Sequence, residues 1–299
     1  PPRSTLFPYT TLFRSGMTTP YKLLLELSDG RRIGAKFKRA PDDLDAFNNS
    51  PRREVAAYEI QKLFLDEDEY VVPPTVVTCL AVAEHRDLMP DLEPHEGVDC
   101  AIGVLAYWIE GLTSDDVLDD DRWARDAEYR TALGNLNALT VLIGHQDDIG
   151  KNFFRVEEPA PARLFAVDNG LAFGAMGINP IRLFSDGWSD VRVEALPKKV
   201  VDRLRRLEPR VFDRFLVVSQ LERRDRRFVA VPPSEPLDKN EGVRRSGDVI
   251  QLGLTAEEVT DVNVRLVELL GRVREGAVDT ARATPTKAPL GPRAIRTSR

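Results

Sequence analysis

The stretch GHQDDIGKNFF, residues 144–154, sets a histidine, two acids, a lysine and an asparagine between an apolar run and two phenylalanines. Three roles suit that mixture. His145, Asp147 and Asp148 are residue types that ligate metals; polar residues between apolar runs make solvated turns; and Asp147 with Asn152 could divide the work of a phosphate-transfer loop. In that last reading Asp147 orients or deprotonates an acceptor hydroxyl, and Asn152 offers a hard oxygen to Mg²⁺.

The order of other residues arbitrates. His145, Asp147 and Asn152 fit the spacing HxDxxxxN of a kinase catalytic loop, a weak signal alone. Lys38 in AKFK, Glu54 sixteen residues on, this loop, and Asp168-Asn169-Gly170 after an apolar run follow the order that phosphoryl transfer by a kinase requires. Moving a γ-phosphoryl group demands neutralised charge and positioned oxygens more than covalent chemistry. Lys38 would hold the α/β-phosphates of ATP, with Lys36 a possible substitute, and Glu54 would pair with that lysine. Asp168 and Asn152 would ligate Mg²⁺. Gly16, Met17, Thr18 and Thr19 could offer N–H groups and hydroxyls to the phosphates.

The elements that must position these groups are legible in part. YKLLLEL and RIGAKFK read as strands joined at Asp29-Gly30, and alternation puts Lys36 and Lys38 on one face. Ser50-Pro51 opens a helix with apolar stripe Ala56, Ile60, Leu63 and Phe64, carrying Glu54 near its start. Pro73-Pro74 leads into a strand, TVVTCLAVA, and AIGVLAYWI (101–109) reads as another. A long helix follows, with Leu133, Leu136, Leu139 and Ile143 on one face. NFFRV and RLFAV are short strands. Helices are predicted at PKKVVDRLRRL, PRVFDRFLVVSQL and TAEEVTDVNVRLVELLGRV, the last with Thr255 and Glu258 as a capping box. Residues beyond about 275 read as disordered.

A chain of 299 residues, 42% hydrophobic and 30% charged, can bury a sizeable core. Its formal charge of -6 gives no reason to expect nucleic acid, and no apolar run approaches the ~18 residues of a membrane span, so the default address is cytoplasmic. Cys79 and Cys100 lack CxxC spacing and read as buried strand residues without a disulfide framework or zinc site. Residues 1–15 resemble a translated sequencing adapter and are set aside, which implies a natural protein beginning upstream of Gly16.

LIGHQDDIGKNFF is similar to the LIGNxDDHxKNF segment of HipA-type serine/threonine kinases. FAVDNGLAF, together with REVAAYEI and VVPPTV, resembles phosphatidylinositol 3/4-kinase-like bacterial proteins. GMTTPYKLLLEL is similar to the HipA-type phosphate-binding region. The resemblance runs from Gly16 to about Gly174. It implies an α+β, two-lobed protein-kinase-like fold, with a small antiparallel sheet lobe over residues 16–109, a larger helical lobe over 110–275, a tail at 276–299 and a hinge at 108–112. It implies Asp147 as catalytic aspartate, Asn152 and Asp168 on Mg²⁺, a Lys38–Glu54 ion pair, and Lys151 at the γ-phosphate. Ile149 departs from the family, which has histidine there.

The expected activity is ATP-dependent phosphate transfer to a hydroxyl on a protein, lipid or small molecule. A pseudokinase is the alternative, and a metal-dependent hydrolase using His145, Asp147, Asp148 and Asp168 is the weaker rival. Plainer readings stand beside these. Each acid alone is an ordinary turn residue, Lys151 an ordinary surface lysine, and Lys38 with Glu54 an ordinary salt bridge. His145 reads as a structural hydrogen-bonding residue, while His85 and His95 receive no role. The acids from Asp115 to Asp121 read as a solvated face. Arg223, Arg224, Arg226 and Arg227 read as the polar face of a helix, or as a peripheral contact with anionic lipid or a phosphorylated partner.

Overall fold

The computed structural model describes residues 5–7, 20–27, 29–46, 49–146, 152–156, 161–174, 188–189 and 191–281. Gly16, Thr18, Thr19, Asp147, Asp148 and Lys151, all named above as candidates, lie outside them.

The predicted first hairpin is present as β2 (Tyr21–Glu26) and β3 (Arg32–Arg39), paired antiparallel with Leu23 opposite Ala35. At its turn Gly30 adopts φ +79, a conformation that costs glycine little, and its N–H bonds the Leu27 carbonyl at 2.9 Å. The two later strands are β4 (Thr75–Ala81) and β5 (Cys100–Tyr107). With β1 (Thr5–Phe7) they form one antiparallel sheet in the order β1-β2-β3-β5-β4. Residues 5–7, part of the segment that resembles an adapter translation, pair through their backbone with β2.

Alternation gives the sheet two apolar faces. Tyr21, Leu23, Leu25, Ala35, Phe37 and Ala101 pack on one side with Met89 and Leu92. Val77 and Ile102 pack on the other with Val55 of α1 (Pro51–Gln61). Gly103 of β5 allows the close approach of β3, since a Cβ there would lie 2.8 Å from the Phe37 ring and run into the Lys38 carbonyl.

Cys79 and Cys100 are strand residues as expected, but they form a disulfide with Cα atoms 5.4 Å apart, contrary to the sequence reading. Spacing along the chain carried no hint of it. The β4–β5 pairing does the work, setting Cys79 opposite Ile102 and Cys100 opposite Ala81, so the two residues are diagonal neighbours.

A second, larger core collects around α3 (Ala127–Ile143), whose Leu133, Leu136, Leu139 and Ile143 are all buried. Ile60 and Phe64 of the α1 region join it, as do Val262, Leu266 and Leu269 of α5 (Ala256–Arg274). Between them lie β6 (Leu112–Thr113), α2 (Asp120–Arg125), β7 (Phe153–Val156), β8 (Leu164–Ala166), β9 (Ala195–Pro197) and α4 (Lys198–Leu204). β6, β7 and β8 make a three-stranded antiparallel sheet. The capping box at the start of α5 is formed as expected, with Thr255 Oγ1 accepting from the Glu258 N–H at 3.1 Å.

The mostly helical second half needs correction. PRVFDRFL is a 3-10 helix (Pro209–Leu216), and the chain then enters a four-stranded antiparallel sheet of β10 (Ser219–Arg224), β11 (Arg227–Val231), β12 (Val243–Ser246) and β13 (Val249–Leu252), ordered β11-β10-β13-β12. The arginines read as a helical face sit on its β10–β11 hairpin. Each has a partner there: Arg226 with Asp99 at 2.7 Å, Arg227 with Glu84 at 2.6 Å, Arg223 with the Gly97 carbonyl at 2.8 Å and Arg224 with Glu222 at 3.7 Å. The tail prediction also shortens, because Val278 is buried and β14 (Asp279–Ala281) pairs in parallel with β9. Among the described residues, no helix is long and apolar enough to cross a membrane.

Candidate active site

Lys38 comes from β3, whose alternation turns it away from Phe37 and toward the end of β8. Its side chain is 7% exposed, and its ammonium meets Asp168 Oδ1 at 2.8 Å. Burying a lone ammonium costs several kcal/mol, so a carboxylate partner is a physical requirement there. Lys36, two residues earlier on the same face, adds positive potential at both Glu54 and Asp168.

Glu54 lies in the first turn of α1, after Pro51. Its Oε2 accepts the Asn169 N–H at 2.9 Å. The expected ion pair joined Lys38 to Glu54; the structure instead joins Lys38 to Asp168 and gives Glu54 the neighbouring backbone. The physical reason is a carboxylate pair. Burial and the nearby Asp168 charge push Glu54 up to about 7 despite the two lysines, and a side-chain hydrogen bond with Asp168 adds to the shift. Burial also raises Asp168, but Lys38 and Lys36 outweigh it and hold that carboxyl below its ordinary value. Glu54 is therefore the more readily protonated of the pair and Asp168 the more readily ionised.

Asp168 itself has φ +58, a left-handed conformation costing a non-glycine residue about 1–2 kcal/mol. It heads the 3-10 turn Asn169–Leu171 directly beyond β8. Asn152 stands immediately before β7, and its carbonyl accepts the Val167 N–H at 2.8 Å. The β7–β8 pairing thus brings Asn152 and Asp168 to the same end of one hairpin.

α3 delivers the chain to this place and stops there. Gly144 caps it at φ +58, and the Phe173 N–H bonds the Ile143 carbonyl at 2.6 Å, tying the helix end to the segment after Asp168. His145 is fully buried against Phe153, ring centroids 4.9 Å apart, and Phe153 in turn faces Trp188 at 5.3 Å. Among the described residues neither ring nitrogen has a hydrogen-bond partner, so its expected hydrogen-bonding role is corrected there to one of packing. Burial lowers its pKa to about 4, leaving the imidazole neutral. Among the described residues no three His, Cys, Asp or Glu side chains gather as a metal cluster; Asp147 and Asp148 of the hydrolase reading lie outside those residues.

The donors present suit Mg²⁺ in chemical type: an ionised carboxylate on Asp168, and an amide side chain on Asn152 at the same hairpin end. Two neighbours of the site escaped the sequence reading. Arg52 and Arg53, directly before Glu54, both reach Glu258, and Arg265 reaches the Gly174 carbonyl at 2.8 Å. Glu258 carried a signal only as a capping residue, and Arg265 carried none.

No family model and no curated protein matches the chain. Among the solved structures, one described as the Golgi casein kinase aligns over 93% of this chain and 76% of its own, with TM-score 0.52 and 12% identity. The fold is kinase-like. At that identity the likeness concerns the fold alone.

Proposed function

We propose that the protein is an ATP-dependent phosphotransferase acting on a hydroxyl acceptor, in a two-lobed arrangement with its nucleotide near the hinge at residues 108–112. The observation that carries this reading is the convergence of Lys38, Glu54 and Asp168, from β3, α1 and the turn after β8, in a kinase-like fold. Lys38 binds the α/β-phosphates. Glu54 holds the turn that carries Asp168 in the resting arrangement and would pair with Lys38 once that lysine leaves Asp168, and the nearby Lys36 adds to the local positive field. Asp168 and Asn152 would hold Mg²⁺, which when bound neutralises the developing phosphate charge. Asp147 orients the acceptor hydroxyl, Lys151 approaches the γ-phosphate, and Gly16, Thr18 and Thr19 contact the phosphates.

The resting pairing of Lys38 with Asp168 sets a condition on activity, because the lysine must leave the metal carboxylate before both can serve the phosphates. A nucleotide-binding protein without transfer is the second reading, and this same pairing favours it. Incubation with γ-labelled ATP and Mg²⁺, scored for autophosphorylation, acceptor labelling and free phosphate, separates the two. Label on a hydroxyl supports the kinase. Saturable Mg²⁺-ATP binding without label supports the second reading, and absence of binding sinks both.

A further inference from the structure

We propose that Glu258 of α5 is a positioning residue for this site: through Arg52 and Arg53 it fixes the first turn of α1 at the place where Glu54 reaches the Asp168–Asn169 turn. The proposal rests on the phosphotransferase reading for its kinetic consequence.

The three residues Arg52, Arg53 and Glu54 are consecutive, so the anchor and the working carboxylate share one helical turn. Arg52 Nη1 meets Glu258 Oε2 at 2.5 Å, while Arg53 donates to Oε1 through Nε at 3.1 Å and Nη2 at 2.9 Å. Both oxygens of one carboxylate, 9% exposed, are thereby committed to the base of α1. Arg52 is itself fixed by Asp45 Oδ2 at 2.8 Å and the Gly253 carbonyl at 3.3 Å. Gly242 lies flat against its guanidinium, where a Cβ would come 2.5 Å from Cζ. From that pinned base Glu54 reaches the Asn169 N–H at 2.9 Å and hydrogen-bonds the Asp168 side chain beside it. A shift of α1 by even an ångström breaks a bond of that length.

The same face of α5 holds the opposite side of the site. Arg265 follows Glu258 by two helical turns, and its guanidinium lies under Gly144, where a Cβ would meet Cζ at 2.6 Å. It donates to the Gly174 carbonyl at 2.8 Å. One rigid helix therefore sets the spacing between the turn that carries Glu54 and the two chain segments that flank residues 145–173. An apolar contact at this spot would have cost less desolvation than two arginines meeting a buried acid.

Glu258→Gln isolates the role, because glutamine at that position preserves the capping box of α5 while removing the charge that draws in both arginines. Two readouts are taken on the full chain: amide hydrogen exchange at Asn169, and steady-state phosphate transfer. With α5 helicity and the β3–β5 amides unchanged, the variant is expected to raise Asn169 exchange about tenfold. It should also lower kcat about tenfold with KM for ATP little altered. Arg53→Gln, which leaves the more buried Arg52–Glu258 contact in place, should show a smaller change of the same kind, and the double variant should add less than the sum of the two. Unchanged exchange at Asn169 in a folded Glu258→Gln protein overturns the proposal whatever the activity. So does raised exchange with kcat intact. A parent that transfers no phosphate would sink the phosphotransferase reading instead, and Asn169 exchange would still decide whether Glu258 positions Glu54.

Discussion

The ammonium of Lys38 and the carboxylate of Asp168 stand 2.8 Å apart across 130 residues of chain, with the carboxyl of Glu54 beside them. One cation thus faces two acids, and the one it bonds is the more readily ionised. Lys38→Met removes the charge that keeps Asp168 anionic. The variant should lose roughly 3 kcal/mol of stability, the lower end for a broken buried pair because a third of Asp168 stays in water. Phosphate transfer should fall to background. Urea denaturation and the labelled-ATP assay check the two parts, and an unchanged midpoint would remove Lys38 from the structural account.

The carboxylate pair predicts a dependence on pH. Glu54 has a folded value of about 7 against 4.5 when unfolded, so the native state holds its proton more tightly. The contribution is fully present below pH 4.5 and is lost as pH rises through about 7. Asp168 works in the opposite sense: its lowered value contributes stability above the ordinary carboxylate range that disappears on acidification. Glu54→Gln keeps an oxygen for the Asn169 N–H and has no proton to lose. Its unfolding free energy should therefore lack the decline between pH 5 and 7 seen in the parent, and a parallel decline in both proteins would assign the effect elsewhere.

Adjacent acids should separate in function. If Asp147 faces the acceptor, Asp147→Asn should lower transfer about 10²- to 10⁴-fold while nucleotide binding survives. Asp148→Asn should change the rate only modestly. Asp168→Asn should weaken Mg²⁺-dependent ATP binding, since it removes a ligand and not a base. Calorimetry and initial rates on the three variants test this, and equal losses at 147 and 148 with metal binding abolished in both would restore the metal-cluster reading.

The Cys79–Cys100 bridge closes a loop of 21 residues, and reduction should cost about 3 kcal/mol by loss of that constraint on the unfolded chain. Mass spectrometry of unreduced digests should find the linked peptides. Such bonds persist in oxidising compartments, which sets the bridge against the cytoplasmic address expected from composition. Two free thiols in protein isolated under alkylation from its native source would reverse that tension.

What the sequence made legible was what neighbours decide. The β2–β3 hairpin follows from a turn glycine and alternation, α3 from its leucine stripe, and the start of α5 from a capping box, all within a few residues. Phe212, Phe215 and Leu216 carried a helical spacing forward, and the strand of Leu221 beyond them was absorbed into it. That strand exists because β13 lies beside it, with Leu221 opposite Ile250, a pairing no local pattern announces. The candidate site divides in the same way. Lys38, Glu54 and Asp168 were found from residue types in order, but which acid holds the lysine depended on burial and on mutual repulsion. Glu258 and Arg265 act across more than ninety residues, beyond the reach of any spacing rule.

The long reach of Glu258 also bears on how the molecule comes to be folded. Arg52 waits for a partner 206 residues downstream, and the face of the first sheet around Val77 and Ile102 waits for Leu221, Ile250 and Leu252. An emerging chain can close the β2–β3 hairpin early, yet it cannot seat α1 or finish that apolar face until most of its length has been synthesised. Closing such distant contacts is slow and leaves apolar surface exposed in the interim. The Arg52–Glu258 contact that anchors the turn of Glu54 thus has to wait until α5 has been synthesised.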